Sequence, residues 1–152
     1  SRGKNADRPV LNLARKFIFK KYRNVMALGQ NIYADTPDEE IHRLRIECKK
    51  LRYLLEFFTP LFPAKQMKRL AEKFKKLQDN LGDFNDLFVQ QEELKAFLKR
   101  PRGETSLETA TAIGALIANL YQAQHDVRRA FEKTFQTFGQ PKTVQIFYDL
   151  FH

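Results

Sequence analysis

His42-Arg-Leu-Arg-Ile-Glu-Cys-Lys-Lys-Leu-Arg-Tyr53, carried on through Leu54 to Phe62, decides how the rest of the chain is read. Ile41, Leu44, Cys48, Leu51, Leu55, Phe58 and Phe62 recur every three or four residues, which predicts one buried stripe along a long helix. His42, Arg45, Lys49 and Arg52 repeat that spacing about a quarter turn to one side. Ile46, Tyr53 and Phe57 follow on the far side of the cations. The positive row is thus flanked by apolar residues on both sides, which suits a lined groove for an anion better than a solvated face.

Upstream, the pattern predicts a helix from about Pro9 to Ala34, with Leu13, Phe17, Val25, Leu28 and Ile32 at core spacing. Arg15, Lys16, Lys20, Lys21 and Arg23 make the rest of its surface basic. Thr36-Pro37-Asp38-Glu39 reads as the next helix start: Thr36 as cap, Pro37 in the first turn and Glu39 reaching back. Pro60 and Pro63 mark the end of that second helix near Phe62.

Downstream, a third helix is predicted from near Ala64 to Leu98, with Met67, Leu70, Phe74, Leu77, Leu81, Phe84 and Phe88 forming a bundle seam. Arg69, Lys73, Lys76 and Asn80 flank the seam on one side, Gln78 and Asn85 on the other. Gly82 inside this helix costs about 1 kcal/mol relative to alanine, which points to a close helix contact there. Lys99 to Gly103 reads as a loop, and Thr105-Ser-Leu-Glu108 as a capping box opening a fourth helix to about Phe138. The small and apolar residues of its first half (Ala110, Ala112, Ile113, Ala115, Leu116, Ile117) suggest tight packing. Gly139 and Pro141 end it, and an amphipathic piece from Lys142 to Phe151 is expected over one end of the bundle. The fold class is all-α, an antiparallel four-helix bundle with a short C-terminal helix.

The chain has 152 residues, long enough for a single domain (1–152) with a real core, and 43% of them are hydrophobic, including 14 Phe. Its net charge of +9 comes from 27 basic and 18 acidic residues and favours an acidic partner such as nucleic acid, polyphosphate or an anionic membrane surface. A single cysteine excludes an internal disulfide and suits a reducing, cytoplasmic setting. Cys48 lies on the core stripe and reads as a buried small hydrophobe. No run approaches the roughly 18 apolar residues of a membrane span, so no membrane insertion is expected. The start at Ser1-Arg-Gly suggests a vector scar or excised fragment, with residues 1–7 disordered or vector-derived.

From His42 to Arg52 the cation row runs for about 15 Å, which fits a linear polyanion better than one small phosphate. Arginine forms forked bonds to phosphate oxygens, lysine acts as a point charge, and a histidine among phosphates has its charged form favoured. Glu47 lies on another face and Glu56 can compensate only Arg52, so acidic relief is thin. His125 and His152 have no ligand at helical spacing, and Asp79, Asp83 and Asp86 read as surface ion pairs or helix-helix links rather than a metal site. Glycine-rich phosphate loops, nucleophile motifs and zinc spacings are not visible, so no enzyme, cofactor or catalytic residue is expected. The rival readings are a nucleic-acid-binding bundle, less favoured because no reading motif is visible, and an accessory module of a metal-dependent phosphohydrolase.

His42-Arg-Leu-Arg-Ile46, Lys49-Lys-Leu-Arg-Tyr53 and Glu56-Phe-Phe58 resemble the CHAD domain, the conserved histidine α-helical domain. Leu77-Gln-Asp-Asn-Leu-Gly-Asp-Phe-Asn-Asp86 is similar to the family's Leu-Gln-x-x-Leu-Gly-x-x-Asn-Asp stretch, in the expected order and at the expected separation. The resemblance implies a helical module that binds inorganic polyphosphate, with a location at polyphosphate granules. It implies a site at His42, Arg45, Lys49 and Arg52, completed by cations of neighbouring helices. Arg69, Lys73 and Lys76 of the third helix and Arg15, Lys20 and Arg23 of the first are the candidates. Gln78, Asn85 and Asp86 are read as structural links between helices. The family module usually contains two related halves around a basic pore, and this chain resembles the C-terminal half. Self-association, or pairing with a second such half, is the partner this implies.

Overall fold

Every residue of the stripe from Ile41 to Phe62 is buried in the computed structural model of the chain. The structure describes residues 2–101, 103 and 105–152, with side chains from Arg8 onward. Ser1 and the side chains of residues 2–7 lie outside that set, and the first helix begins at Arg2 rather than near Pro9. Five α-helices follow in order: α1 (Arg2–Gln30), α2 (Asp38–Phe58), α3 (Ala64–Leu98), α4 (Leu107–Phe138) and α5 (Pro141–Phe151). A 3-10 turn over Thr59–Leu61 follows α2, ending it four residues before Phe62. There is no strand among the described residues, and the fold is the expected all-α bundle with a short last helix.

Helix α2 packs between α1 and α3, and α3 also carries α4 and part of α5. On α3 the seam from Met67 to Phe84 is buried as predicted, but Phe88 is 36% exposed. The second half of the stripe expected on α1 holds, with Val25 buried and Leu28 and Ile32 packed against the core, but its first half is shifted by one position. Ala14, Ile18, Tyr22 and Val25 point inward, while Leu13 and Phe17 lie at the surface. Helix α1 serves two partners, α2 and α5, and Tyr22 stacks on Phe147 of α5 with ring centroids 3.9 Å apart. Phe151 closes the same end against Phe62.

Several local expectations are corrected. α1 stops at Gln30, and Thr36 does not cap α2: its hydroxyl accepts from the Tyr33 amide (2.8 Å) and donates to the Asn31 carbonyl (3.3 Å). Pro37 therefore precedes α2 rather than opening it, and no side chain caps that end. Helix α4 is capped by Ser106, not Thr105, with the Ser106 hydroxyl accepting from the Thr109 amide. A Cβ on Gly82 would meet nothing within 4 Å, so no helix contact requires that glycine. The close approach is at Gly29, where a Cβ would stand 2.1 Å from the Phe135 ring of α4.

The loop between α1 and α2 is held by a single residue of α4. The Arg128 guanidinium donates to the Asp38 carboxylate and to the carbonyls of Tyr33, Ala34 and Thr36. These bonds satisfy carbonyls of the connecting loop, which no helix pairs. Beyond this clamp α3 and α4 run on together, without the other helices. No side chain of α3 after Gln91 is buried, and none of α4 before Gln124. Those two amides bond to each other (2.7 Å) at the base of the projecting arm. The first half of α4 therefore packs on α3 alone through half-buried Ile113, Ile117 and Leu120, and Ala112, Ala115 and Leu116 are exposed.

Candidate anion-binding groove between α2 and α3

Helical periodicity and the packing of α2 decide which flank each cation occupies. Glu47 faces α1, where its carboxylate accepts from Lys21 Nζ at 2.7 Å. His42 lies on the opposite flank, its ring against Phe84 (5.2 Å) and Phe88 (4.7 Å) of α3. Arg45, Lys49 and Arg52 follow His42 at the same spacing, so the whole row runs in the groove between α2 and α3. All four are half-buried.

The ten candidate cations do not form one site. Asn80 donates to the Val127 carbonyl at 3.1 Å, which turns its flank of α3 toward α4. Arg69, Lys73 and Lys76 share that flank and lie away from the α2 row. On α1, Arg15 is tied by its Nε to the Leu150 carbonyl at 3.1 Å, while Lys20 and Arg23 are exposed. Because α1 lies on the Glu47 side of α2, none of the three reaches the row. The structure thus brings together His42, Arg45, Lys49 and Arg52 and separates the other six from them.

The wall facing the row contains residues read differently from sequence. Gln78, Gly82 and Asn85 recur every three or four residues on the α2 side of α3 and are half-buried. Among the described residues neither Gln78 nor Asn85 makes a side-chain hydrogen bond, so they do not link helices as expected. Asp86, the third residue given that role, is exposed. Open space at Gly82 lowers the wall at the level of Arg45. The pairing of the two motifs in sequence was the available signal that both line one groove.

Three polar atoms in this region are buried without partners: His42 Nε2, Arg52 Nε and Gln78 Oε1. Such atoms lose the hydrogen bonds they make to water, a cost of about 1–3 kcal/mol each unless a ligand supplies them. Glu56 stands 3.6 Å from Arg52 Nε, beyond hydrogen-bond distance, and 66% of its side chain is exposed, so screening leaves little attraction. Arg45 and Lys49 have no ion-pair partner among the described residues. Two donors and two uncompensated charges along one groove can neutralise and hydrogen-bond successive anionic groups.

Outside the row, Ile46, Tyr53 and Phe57 are 50%, 51% and 77% exposed, and Arg52 sits over the Tyr53 ring at 5.1 Å. Beneath it, Cys48 is 1% exposed. Burial pushes its thiol up to about 12, with the Glu47 carboxylate adding to the effect, so it is a packed hydrophobe and not a thiolate. Asp79 pairs with Lys75 at 2.8 Å. Among the described residues no three acidic, histidine or cysteine side chains are grouped to hold a metal ion, and no helix is long and apolar enough to cross a membrane.

A family model for the CHAD domain matches residues 1–95 of the chain, which include both motifs that form the groove. The protein belongs to the CHAD domain family. No curated protein matches its sequence. The matched span takes in α1, α2 and nearly all of α3, while α4 and α5 lie beyond it.

Proposed function

We propose that this CHAD protein binds inorganic polyphosphate along the α2–α3 groove and does not turn it over. The observation that carries the reading is the row of His42, Arg45, Lys49 and Arg52, half-buried and facing uncharged Gln78, Gly82 and Asn85. Successive positions on one helix face are about 5–6 Å apart, so a flexible chain of phosphates can be met at several points. Arg45 and Arg52 would grip phosphate oxygens through paired N–H groups, Lys49 would add a mobile charge, and His42 Nε2 would donate at the end of the row. With cations on one wall only, the channel is half-lined. A second CHAD half or a second copy would supply the other row. Such a binder would work in the cytoplasm, at polyphosphate granules.

Titration with polyphosphate of defined lengths against single- and double-stranded nucleic acid, at matched charge and salt, tests the reading. Affinity should rise with polyphosphate length and exceed that for either nucleic acid, and it should fall steeply with salt as counterions are released. Equal affinity for all three would reduce the groove to a general polyanion surface. Phosphate release from polyphosphate or a nucleoside triphosphate, with or without magnesium, should stay at background. Turnover abolished by His42→Ala would overturn the non-catalytic reading.

A further inference from the structure

The arm formed by residues beyond Gln91 on α3 and before Gln124 on α4 lacks a buried side chain. It nevertheless carries apolar residues on both helices. Leu98, Leu107 and Leu116 are 38%, 84% and 45% exposed. A groove of about 440 Å³ opens along one side, with Leu94 and Phe97 of α3 facing Ile113, Leu116 and Leu120 of α4. Two helices cannot enclose such faces by themselves; a bundle needs more.

The charges of the arm narrow what can cover it. Residues 92–108 contain four acidic and four basic side chains, and residues 109–125 contain none, so the arm is neutral while the chain as a whole is +9. An acidic partner would be drawn to the bundle instead. The arm is the part of this protein where two copies meet with least mutual repulsion.

On the groove side of α3 the sequence is also self-complementary. Gln90, Glu93 and Phe97 share one face by helical spacing, and Arg100, just past the end of α3, reaches back so that its guanidinium lies over the Phe97 ring at 4.5 Å. Glu93 lies one turn before Phe97 on α3 and Arg100 beyond the helix end, so the two charges flank the ring from opposite sides along the axis. Among the described residues neither has an ion-pair partner. In two antiparallel copies related by a two-fold axis near Phe97, Glu93 of each copy faces Arg100 of the other. The two Phe97 rings then meet at the axis, over the apolar grooves.

We propose that the arm is a homodimerisation surface, pairing isologously with the arm of a second copy through reciprocal Glu93–Arg100 contacts around Phe97. The contact is confined to a few helical turns, so it falls at the small end of protein interfaces and the dimer is weak. It does not involve the α2–α3 groove and stands or falls separately from polyphosphate binding.

Sedimentation equilibrium of the whole chain, without polyphosphate, over micromolar to submillimolar concentrations tests it. A monomer–dimer equilibrium is expected. Glu93→Arg alone and Arg100→Glu alone should each raise the dissociation constant by about tenfold or more, because like charges then face each other. Mixing these two variants should restore dimerisation, since each repulsive pair becomes attractive, and so should the double variant. Both residues exchanged are on the surface, so circular dichroism should be unchanged. A monomer at every concentration overturns the proposal. So does a dimer that neither reversal weakens, or one whose loss is not recovered on mixing.

Discussion

The His42 imidazole lies 4.7 Å from the Phe88 ring, a contact that joins the first residue of the cation row to the helix opposite. It fixes the flank of α2 that faces α3 and therefore where Arg45, Lys49 and Arg52 point. It also accounts for Phe88, which continues the α3 seam in sequence but is 36% exposed. At that level α2 is near its first turn, and an imidazole rather than a core side chain covers the ring. Phe88→Ala should weaken polyphosphate binding severalfold by loosening His42, while costing less stability than Phe84→Ala. Phe84 is 2% exposed, and emptying its site should cost about 3–5 kcal/mol. Parallel titration and urea unfolding of the two variants would check this; equal affinity of Phe88→Ala and the parent would remove His42 positioning from the account.

The separation of the cations makes a sharper prediction. Arg45→Glu or Lys49→Glu should reduce polyphosphate affinity by about ten- to hundredfold, the value of one or two charge-assisted contacts. Arg69→Glu, Lys76→Glu and Arg23→Glu change the net charge equally, yet should reduce affinity only a fewfold. Thermal melts should differ little among the five. Calorimetric titration at fixed salt distinguishes the cases: equal losses for all five would mean that total charge, not the groove, governs binding.

How much of this was legible in the sequence depended on how many neighbours each helix has. The α2 and α3 seams follow one strict period because each buries a single continuous stripe, and Ile41–Phe62 and Met67–Phe84 could be assigned residue by residue. On α1, Leu13 and Phe17 compete with Ala14 and Ile18, and only the packing of α2 and α5 selects the second row. A cation's angle from its own stripe was readable, but the neighbour on that side was not. Arg69, Lys73 and Lys76 therefore resembled extensions of the α2 row until the Asn80–Val127 bond turned them toward α4. The arm was hidden for a related reason: Ile113, Leu116 and Leu120 have core spacing whether or not other helices arrive to cover them.

Gly29 and Gly82 look alike in sequence and should respond oppositely to alanine. At Gly82 a Cβ meets open space, so Gly82→Ala should stabilise the helix interior by about 0.5–1 kcal/mol. At Gly29 the Cβ would stand 2.1 Å from a buried Phe135 ring, and overpacking should cost about 1–3 kcal/mol. Urea midpoints of the two variants give both signs. Gly82→Ala should also narrow the groove beside Arg45, so a gain in stability with some loss of polyphosphate affinity is expected.

Cys48 offers a test of the core beneath the row. Its thiol is pushed up to about 12 by burial and then by Glu47, above the ordinary value of about 8.5. The native state therefore holds the thiol proton more tightly than the unfolded chain. This contribution to stability is full below about pH 8.5 and is lost as pH rises toward the folded value. A maleimide at about pH 8 should label the native protein orders of magnitude more slowly than the urea-unfolded chain. Rapid native labelling would mean that α2 opens at this point.

The exposed strip of Ile46, Tyr53 and Phe57 leads to the last prediction. Its members are at least half exposed and adjoin the cations, with Arg52 over the Tyr53 ring. An apolar strip beside a charged row is the anatomy of an interface. Pairing of two α2 faces about a two-fold axis would set their rows against each other and form a channel lined on both sides. Repulsion between the rows opposes that pairing, and polyphosphate, by neutralising both, should drive it. On an Arg100→Glu background, which removes pairing through the arms, sedimentation should show monomer alone and a two-to-one complex with long polyphosphate. Tyr53→Glu should abolish the complex while leaving short-chain binding within a fewfold of the parent. If long polyphosphate instead binds one copy at a time, or Tyr53→Glu leaves the two-to-one complex intact, the strip is not the surface that completes the channel.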